Sequence, residues 1–314
     1  MEVKFKVKSP ANIALIKYWG RQDEEKVMPA NTSFSFNLSE CFTITEFSYG
    51  IATEDQYLLD GQSNQRALDY IAFVRNYFAR KGRMIPFVKV ESNNSFEADT
   101  GLASSASAFS ALAFGLCELA RRFANPFLHD ELEYLTRMSG SASAVRSLGD
   151  FFVAYDPSTA ELVEFKDYDL VDVSCVVDSS KKSVSSFDGH LRALTSPLFK
   201  ERVKNAEDRY GRLLYSLDAH DYEDAFRTIE EETWSFLLNH YSCDEPIQYL
   251  HQNSLDLVMK VKQYDVPCAF TFDAGSVVHF ICKSGDSSFI ESIVKDNCVK
   301  YYKNKPCEGT RLAS

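Results

Sequence analysis

The chain opens on a two-residue alternation. Val3, Phe5 and Val7 interleave with Lys4, Lys6 and Lys8, which predicts a strand with one wet face and solvated lysines. Pro10 bars a helix from following, and Ile13 and Leu15 resume the alternation in an extended segment that leaves the core at Lys17. Segments rich in Phe, Val, Ile and Thr predict further strands over 33–38, 42–47 and 85–91. A helix fits 64–80 and stops before Gly82. From Gly101 the spacing changes: Leu102, Ala106, Phe109, Ala113, Leu116, Ala120 and Phe123 recur at fours and threes, one stripe of a buried helix. A helix over 130–138, a Ser/Ala-rich turn over 139–147, and strands over 151–155 and 173–177 follow. The second half reads as helices over 197–217, 222–238 and 247–264, strands over 268–272 and 277–282, a helix over 287–296 and a strand over 299–302. Helices on one face of a largely antiparallel sheet make an α+β protein. The change of character places a division near residue 186, giving parts 1–185 and 186–314.

Composition narrows the chemistry. The 314 residues suit two sub-domains, and 45% hydrophobic with 25% charged residues is ordinary for a soluble protein. A net charge of −11 argues against broad nucleic-acid binding, so an anionic ligand needs a local basic pocket. Charges interrupt every apolar run before the roughly 20 residues of a membrane span. The start, MEVKFKVKSP, lacks the apolar stretch of a secretory signal, and eight cysteines are scattered without paired spacing. The expectation is a cytoplasmic protein with reduced thiols. His240 and Cys243 have metal-like spacing but no second pair beside them, and no metal-ligating residue is assigned. His190 and His279 read as surface or packed imidazoles.

Four segments carry candidate chemistry. Lys17 ends an apolar strand, where a low local dielectric strengthens its contact with an anion. In TGLASSASA, Thr100 to Ala108, small residues precede a buried helix, so a phosphate can approach the unpaired N–H groups at its start, with Ser104 and Ser105 adding hydroxyls. A plain helix cap has the same letters. In SGSASAVRS, Gly140, Ser141, Ser143 and Arg146 lie close together, and a guanidinium held by a turn can grip a carboxylate with two parallel bonds. Asp273 follows the apolar strand of AFTFDAGS, where a carboxylate can accept a hydroxyl proton or simply bond a turn.

In their order along about 265 residues, PANIALIKYWGR, MPANTSFSFNL, NN before TGLASSAS, SGSASAVRSL, KKSVSS and FTFDAGS resemble the diphosphomevalonate decarboxylase family of the GHMP kinase superfamily. The resemblance implies an N-terminal domain like the second domain of ribosomal protein S5, a C-terminal ferredoxin-like α/β sandwich, and a site between them. It implies ATP-dependent decarboxylation of mevalonate 5-diphosphate to isopentenyl diphosphate, through 3-phosphorylation and then loss of phosphate and CO2. Asp273 would orient or deprotonate the 3-hydroxyl, Lys17 would stabilise the transferring phosphoryl group or Asp273, and Arg146, placed by Asn12, would hold the carboxylate. Tyr18, Arg21, Ser141 and Ser143, with Ser185 or Ser186, would hold the diphosphate. Asn93, Gly101, Leu102, Ala103, Ser104 and Ser105 would cradle ATP, with Mg2+ bridging its phosphates. Family members are commonly homodimers. The chain departs from the family at Arg21, at the longer and more acidic NNSFEAD, at Ser276-Val277, at Ala142 and Val145, and at Leu237. These departures leave two alternatives: action on another phosphorylated mevalonate or arrest after 3-phosphorylation, and a catalytically silent regulator of the same fold.

Overall fold

The computed structural model describes residues 2–96, 102, 104–123, 129–140, 142–165, 168–178 and 184–313. Its first half is a sheet built on two long strands, β1 (Val3–Ile16) and β4 (Ser33–Tyr49), paired antiparallel from Val3↔Tyr49 to Ile16↔Phe34. Between them in sequence lies the small hairpin of β2 (Arg21–Asp23) and β3 (Met28–Pro29). Then come β5 (Gln56–Leu59), β6 (Gln62–Ser63), α1 (Gln65–Arg80), β7 (Val88–Asn94), α2 (Ser104–Phe123), α3 (His129–Arg137) and α4 (Ala142–Arg146). β8 (Phe152–Asp156) and β9 (Glu161–Phe165) complete this half. The strand order is β14-β1-β4-β7-β5-β6, with β8 pairing both β4 and β9 and β14 (Arg311–Leu312) returning from the C-terminus. Among the described residues, β5 and β7 are the one parallel pair here.

The second sheet, wholly antiparallel, has the order β11-β12-β10-β13, from β10 (Val171–Val176), β11 (Cys268–Phe272), β12 (Val277–Cys282) and β13 (Lys300–Asn304). Its helices are α5 (Ser186–Ala193), α6 (Phe199–Asp218), α7 (Tyr222–Tyr241), α8 (Gln252–Lys262) and α9 (Ser287–Val294). Sheet membership changes at β10, ahead of the division expected at 186, and β14 rejoins the first sheet.

Alternation explains the packing. Phe270, Phe272, Val278 and Phe280 share a cluster with Leu257, Val258 and Ile290 of α8 and α9. Ala269, Val277 and Ile281, from the same strands, share another with Ile13, Leu15, Phe34 and Phe36 of the first sheet and with Leu213 and Leu217 of α6. That second cluster fastens the two sheets together, and full burial of each Leu, Ile or Phe in it contributes about 1.5–3 kcal/mol. The strands expected as separate pieces on either side of residues 10 and 40 are continuous. The turn expected over 139–147 contains a helical turn, α4.

Candidate active site

Lys17 stands one residue beyond the end of β1, where the ladder to β4 stops. A register irregularity between Ala14 and Ile16 alters the local twist just before it, as bulges do where a side chain must be re-aimed. The ammonium donates to Asp273 Oδ1 at 2.7 Å and to the Ala14 carbonyl at 3.0 Å. Asp273 directly follows β11, so this contact joins the two sheets. The Lys17 side chain is 3% exposed and Asp273 24%, which makes the carboxylate the partner that a ligand can reach. Burial pushes the Lys17 pKa below 10.5, while Asp273 and then Glu232 pull it back up.

Arg146 is the last residue of α4 and is buried. Its Nε donates to Ser35 Oγ (2.9 Å), Nη1 to Ser33 Oγ (2.8 Å) and Nη2 to Asn12 Oδ1 (3.0 Å). Asn12 in turn donates to Ser147 Oγ (2.8 Å) and the Ser143 carbonyl (3.0 Å), so its amide has one orientation. Burial lowers the Arg146 pKa, yet a guanidinium stays charged in a protein. An arginine with no carboxylate among its hydrogen-bond acceptors is a cation ready for an anionic ligand.

A second pair of guanidinium groups converges nearby. Arg21 donates from Nη2 to the Gly140 carbonyl and Arg66 from Nη2 to the Ser139 carbonyl, each at 2.8 Å. Gly140 has φ +92°, which favours glycine, and a Cβ there would come within 2.9 Å of the Arg66 guanidinium tip and displace it. Arg21 also pairs with Glu24 at 2.8 Å, so of the three arginines Arg146 is the one whose hydrogen bonds among the described residues all go to neutral acceptors on buried side chains. The Tyr18 hydroxyl is buried with no hydrogen-bond partner among the described residues. Its ring stacks on His190, which also stacks on Trp19, and His190 Nδ1 accepts from the Gly20 N–H at 3.1 Å. Burial, then Arg21, hold His190 well below pKa 6.5, so it packs as a neutral ring.

The structure thus gathers Asn12, Lys17, Tyr18, Arg146 and Asp273, with Arg21 on the adjoining turn. Ser143 contributes its carbonyl to Asn12. Ser185 caps α5, accepting from Asp188 N at 3.1 Å, and Ser186 begins that helix. Ser141, Gly101 and Ala103 lie outside the described residues. Leu102 is buried, Asn93 is exposed on β7, and Ser104 and Ser105 open α2. No acid occupies the first turn of that twenty-residue helix, whose positive dipole end and two hydroxyls suit a phosphate chain.

Sequence reasoning missed four contributors. Ser33 and Ser35 were visible as the polar half of the SFSF alternation. Arg66 lies on α1, far away in sequence and without a motif. The fourth, a buried ion pair between Arg202 and Glu232 at 2.5 Å, joins two helices whose periodicity gave no sign of it.

A family model described as the diphosphomevalonate decarboxylase-like N-terminal domain matches residues 9–163, and one for the mevalonate 5-diphosphate decarboxylase C-terminal domain matches 173–310. A diphosphomevalonate decarboxylase of Candida albicans is 30% identical over 300 residues, covering 86% of this chain and 81% of the relative. The crystal structure of mevalonate diphosphate decarboxylase from Staphylococcus aureus superposes with a TM-score of 0.88 at 26% identity, over 100% of this chain and 99% of that one. MDDEF in complex with MVAPP, AMPPCP and magnesium gives 0.88 at 26% identity over 100% of both chains.

Proposed function

We infer that this chain, which belongs to the diphosphomevalonate decarboxylase family and has its GHMP kinase fold, catalyses the ATP-dependent decarboxylation of mevalonate 5-diphosphate. The observation that carries the reading is the contact between Lys17 and Asp273 across the two sheets, beside an arginine held by three neutral acceptors.

The geometry supports a set of roles. Asp273 accepts or orients the proton of the substrate 3-hydroxyl, whose oxygen attacks the γ-phosphoryl group of ATP. The Lys17 ammonium, 2.7 Å from Asp273 Oδ1, orients the Asp273 side chain and faces the charge that develops on the transferred group. Arg146 binds the substrate carboxylate through the N–H groups that Ser33, Ser35 and Asn12 leave open. When the tertiary C–O bond breaks, phosphate leaves with the bonding pair, the C–C bond to the carboxylate supplies the electrons of the new alkene, and CO2 departs. Arg21, Arg66 and the Tyr18 hydroxyl hold the diphosphate at the far end, helped by Ser141, Ser143 and Ser185 or Ser186.

Asn93 and the start of α2, including Gly101, Leu102, Ala103, Ser104 and Ser105, receive the nucleotide phosphates. Bound with ATP, Mg2+ neutralises phosphate charge. The reading extends to a cytosolic homodimer, which light scattering checks; no helix among the described residues is long and apolar enough to cross a membrane. The deciding experiment incubates the protein with ATP and mevalonate 5-phosphate or 5-diphosphate and follows CO2, ADP and phosphate. Equal yields of all three from the diphosphate are expected. ADP without CO2 would reject decarboxylation.

A further inference from the structure

Beyond β1, Lys17 has no strand partner for its own peptide groups, and α6 and α7 supply them. Glu232 Oε1 accepts from the Lys17 N–H at 3.2 Å, and Arg202 Nη2 donates to the Lys17 carbonyl at 2.9 Å. The two side chains pair with each other at 2.5 Å, and both are essentially unexposed. Arg209 Nε binds the second Glu232 oxygen at 2.7 Å. One turn along α7, the Phe236 ring lies 5.7 Å from the Lys17 ammonium, so positions i and i+4 of one helical face meet the lysine at its backbone and at its tip. Thr233, between them, donates to Thr271 Oγ1 of β11 at 2.9 Å, two residues before Asp273. A single helix therefore holds the lysine with one residue and the aspartate's strand with the next.

We propose that Glu232 is a positioning residue for the Lys17–Asp273 pair, acting through the Lys17 backbone together with Arg202, while Thr233 registers the same helix against β11. The inference rests on the roles given above to Lys17 and Asp273. A buried carboxylate bridging two arginines costs desolvation and adds little stability compared with an apolar isostere, so its placement on the Lys17 peptide points to geometry and charge. Around the ammonium stand Asp273 beyond β11, Glu232 on α7 and Arg146 on α4; Arg202 and Arg209 of α6 face Glu232, and His190 of α5 is neutral. The two carboxylates favour the charged lysine, whereas Arg146 and burial oppose it. Removing the Glu232 charge therefore lowers the pH at which the ammonium is lost.

The test compares Glu232→Gln, Glu232→Asp and Thr233→Val in the full chain. Glu232→Gln is expected to lower kcat by about tenfold, to change KM for either substrate by less than about threefold, and to move the alkaline limb of kcat to lower pH. Glu232→Asp restores the limb, because the charge returns, but not the rate, because its reach is one methylene shorter. In protein with 13C-labelled lysine, the Lys17 Cε resonance, assigned with Lys17→Met, follows the ammonium without turnover. Its midpoint should fall in Glu232→Gln and recover in Glu232→Asp. A folded Glu232→Gln whose titration and kcat stay within about twofold of the parent overturns the proposal. If that variant does not fold, Thr233→Val decides: a kcat loss of about threefold or more at unchanged KM supports the registering role, and an unchanged kcat rejects it. A parent that titrates as expected but releases no CO2 refutes the assigned reaction alone.

Discussion

At the scale of single residues, the site separates charge from access. Lys17 and Arg146 are buried cations whose locations are fixed by protein acceptors, and Asp273 is the member of the group left open. Asp273→Asn keeps the shape but cannot accept a proton, so kcat should fall by about 10²–10⁴ while substrate binding, measured by calorimetry, changes little. A near-normal rate would remove Asp273 from the mechanism. Arg146→Gln deletes the charge proposed to bind the substrate carboxylate and strands Ser33 and Ser35. It should raise KM for mevalonate diphosphate and lower turnover, with a loss in kcat/KM corresponding to about 1.5–3 kcal/mol or more. A change confined to ATP affinity would contradict the carboxylate role. These residues were legible because each ends a strand or follows a turn with an unusual composition around it. Arg66 and Glu232 were not: Arg66 stays exposed on α1 and is set apart only by its bond to the Ser139 carbonyl, and a glutamate inside an amphipathic helix looks like any solvated one until tertiary packing buries it.

At the scale of elements, the backbone delivers the side chains. The strands around residues 10 and 40 looked interrupted because Pro10 and the Ser39-Glu40 pair break the alternation. The structure instead absorbs the break near Pro10 as a register shift inside one continuous β1–β4 ribbon, immediately before Asn12. Alternation identifies where a strand is half-buried, and it fails where both faces are covered, as they are from Ser9 to Ile16. Helix α4 was hidden for another reason: four small residues and one arginine have no apolar period to detect. Gly20 makes the link between β1 and the first hairpin. Its φ is +88°, and a Cβ there would lie 2.4 Å from the Phe199 ring at the start of α6. Gly20→Ala should therefore destabilise the protein by about 1–3 kcal/mol in urea unfolding and shift Tyr18 and Trp19 away from His190. A cost below about 0.5 kcal/mol, the range of ordinary surface substitutions, would show that this turn is not under such constraint.

At the scale of the whole molecule, the chain changes sheets at β10, ahead of the division expected at 186, and the change is not a gap. The Ile13, Leu15, Phe34, Val277 and Ile281 cluster crosses it, and Trp19 crosses it again among His190, Phe236, His240 and Tyr249. This second junction contains two buried imidazoles, which gives stability a pH dependence of definite sign. Burial pushes His240 down to about 4, and His190 also lies well below 6.5. In the unfolded chain both take up a proton near pH 6.5, so the unfolded state binds more protons at pH 5 to 6 and stability declines as the pH falls through that window. Each imidazole contributes up to about 1.4 kcal/mol per pH unit there, and the effect fades over the pH unit above 6.5. His240→Phe preserves a ring against Trp19 and Phe236 but cannot titrate. Urea unfolding of the parent and of this variant at pH 5.0, 5.5, 6.0, 6.5, 7.5 and 8.0 should give a slope shallower by about 1 kcal/mol per unit in the variant below pH 6.5 and nearly parallel values from pH 7.5. Equal slopes throughout would mean that the His240 ring charges as readily in the folded protein as in water, which a dry junction between the two sheets does not permit.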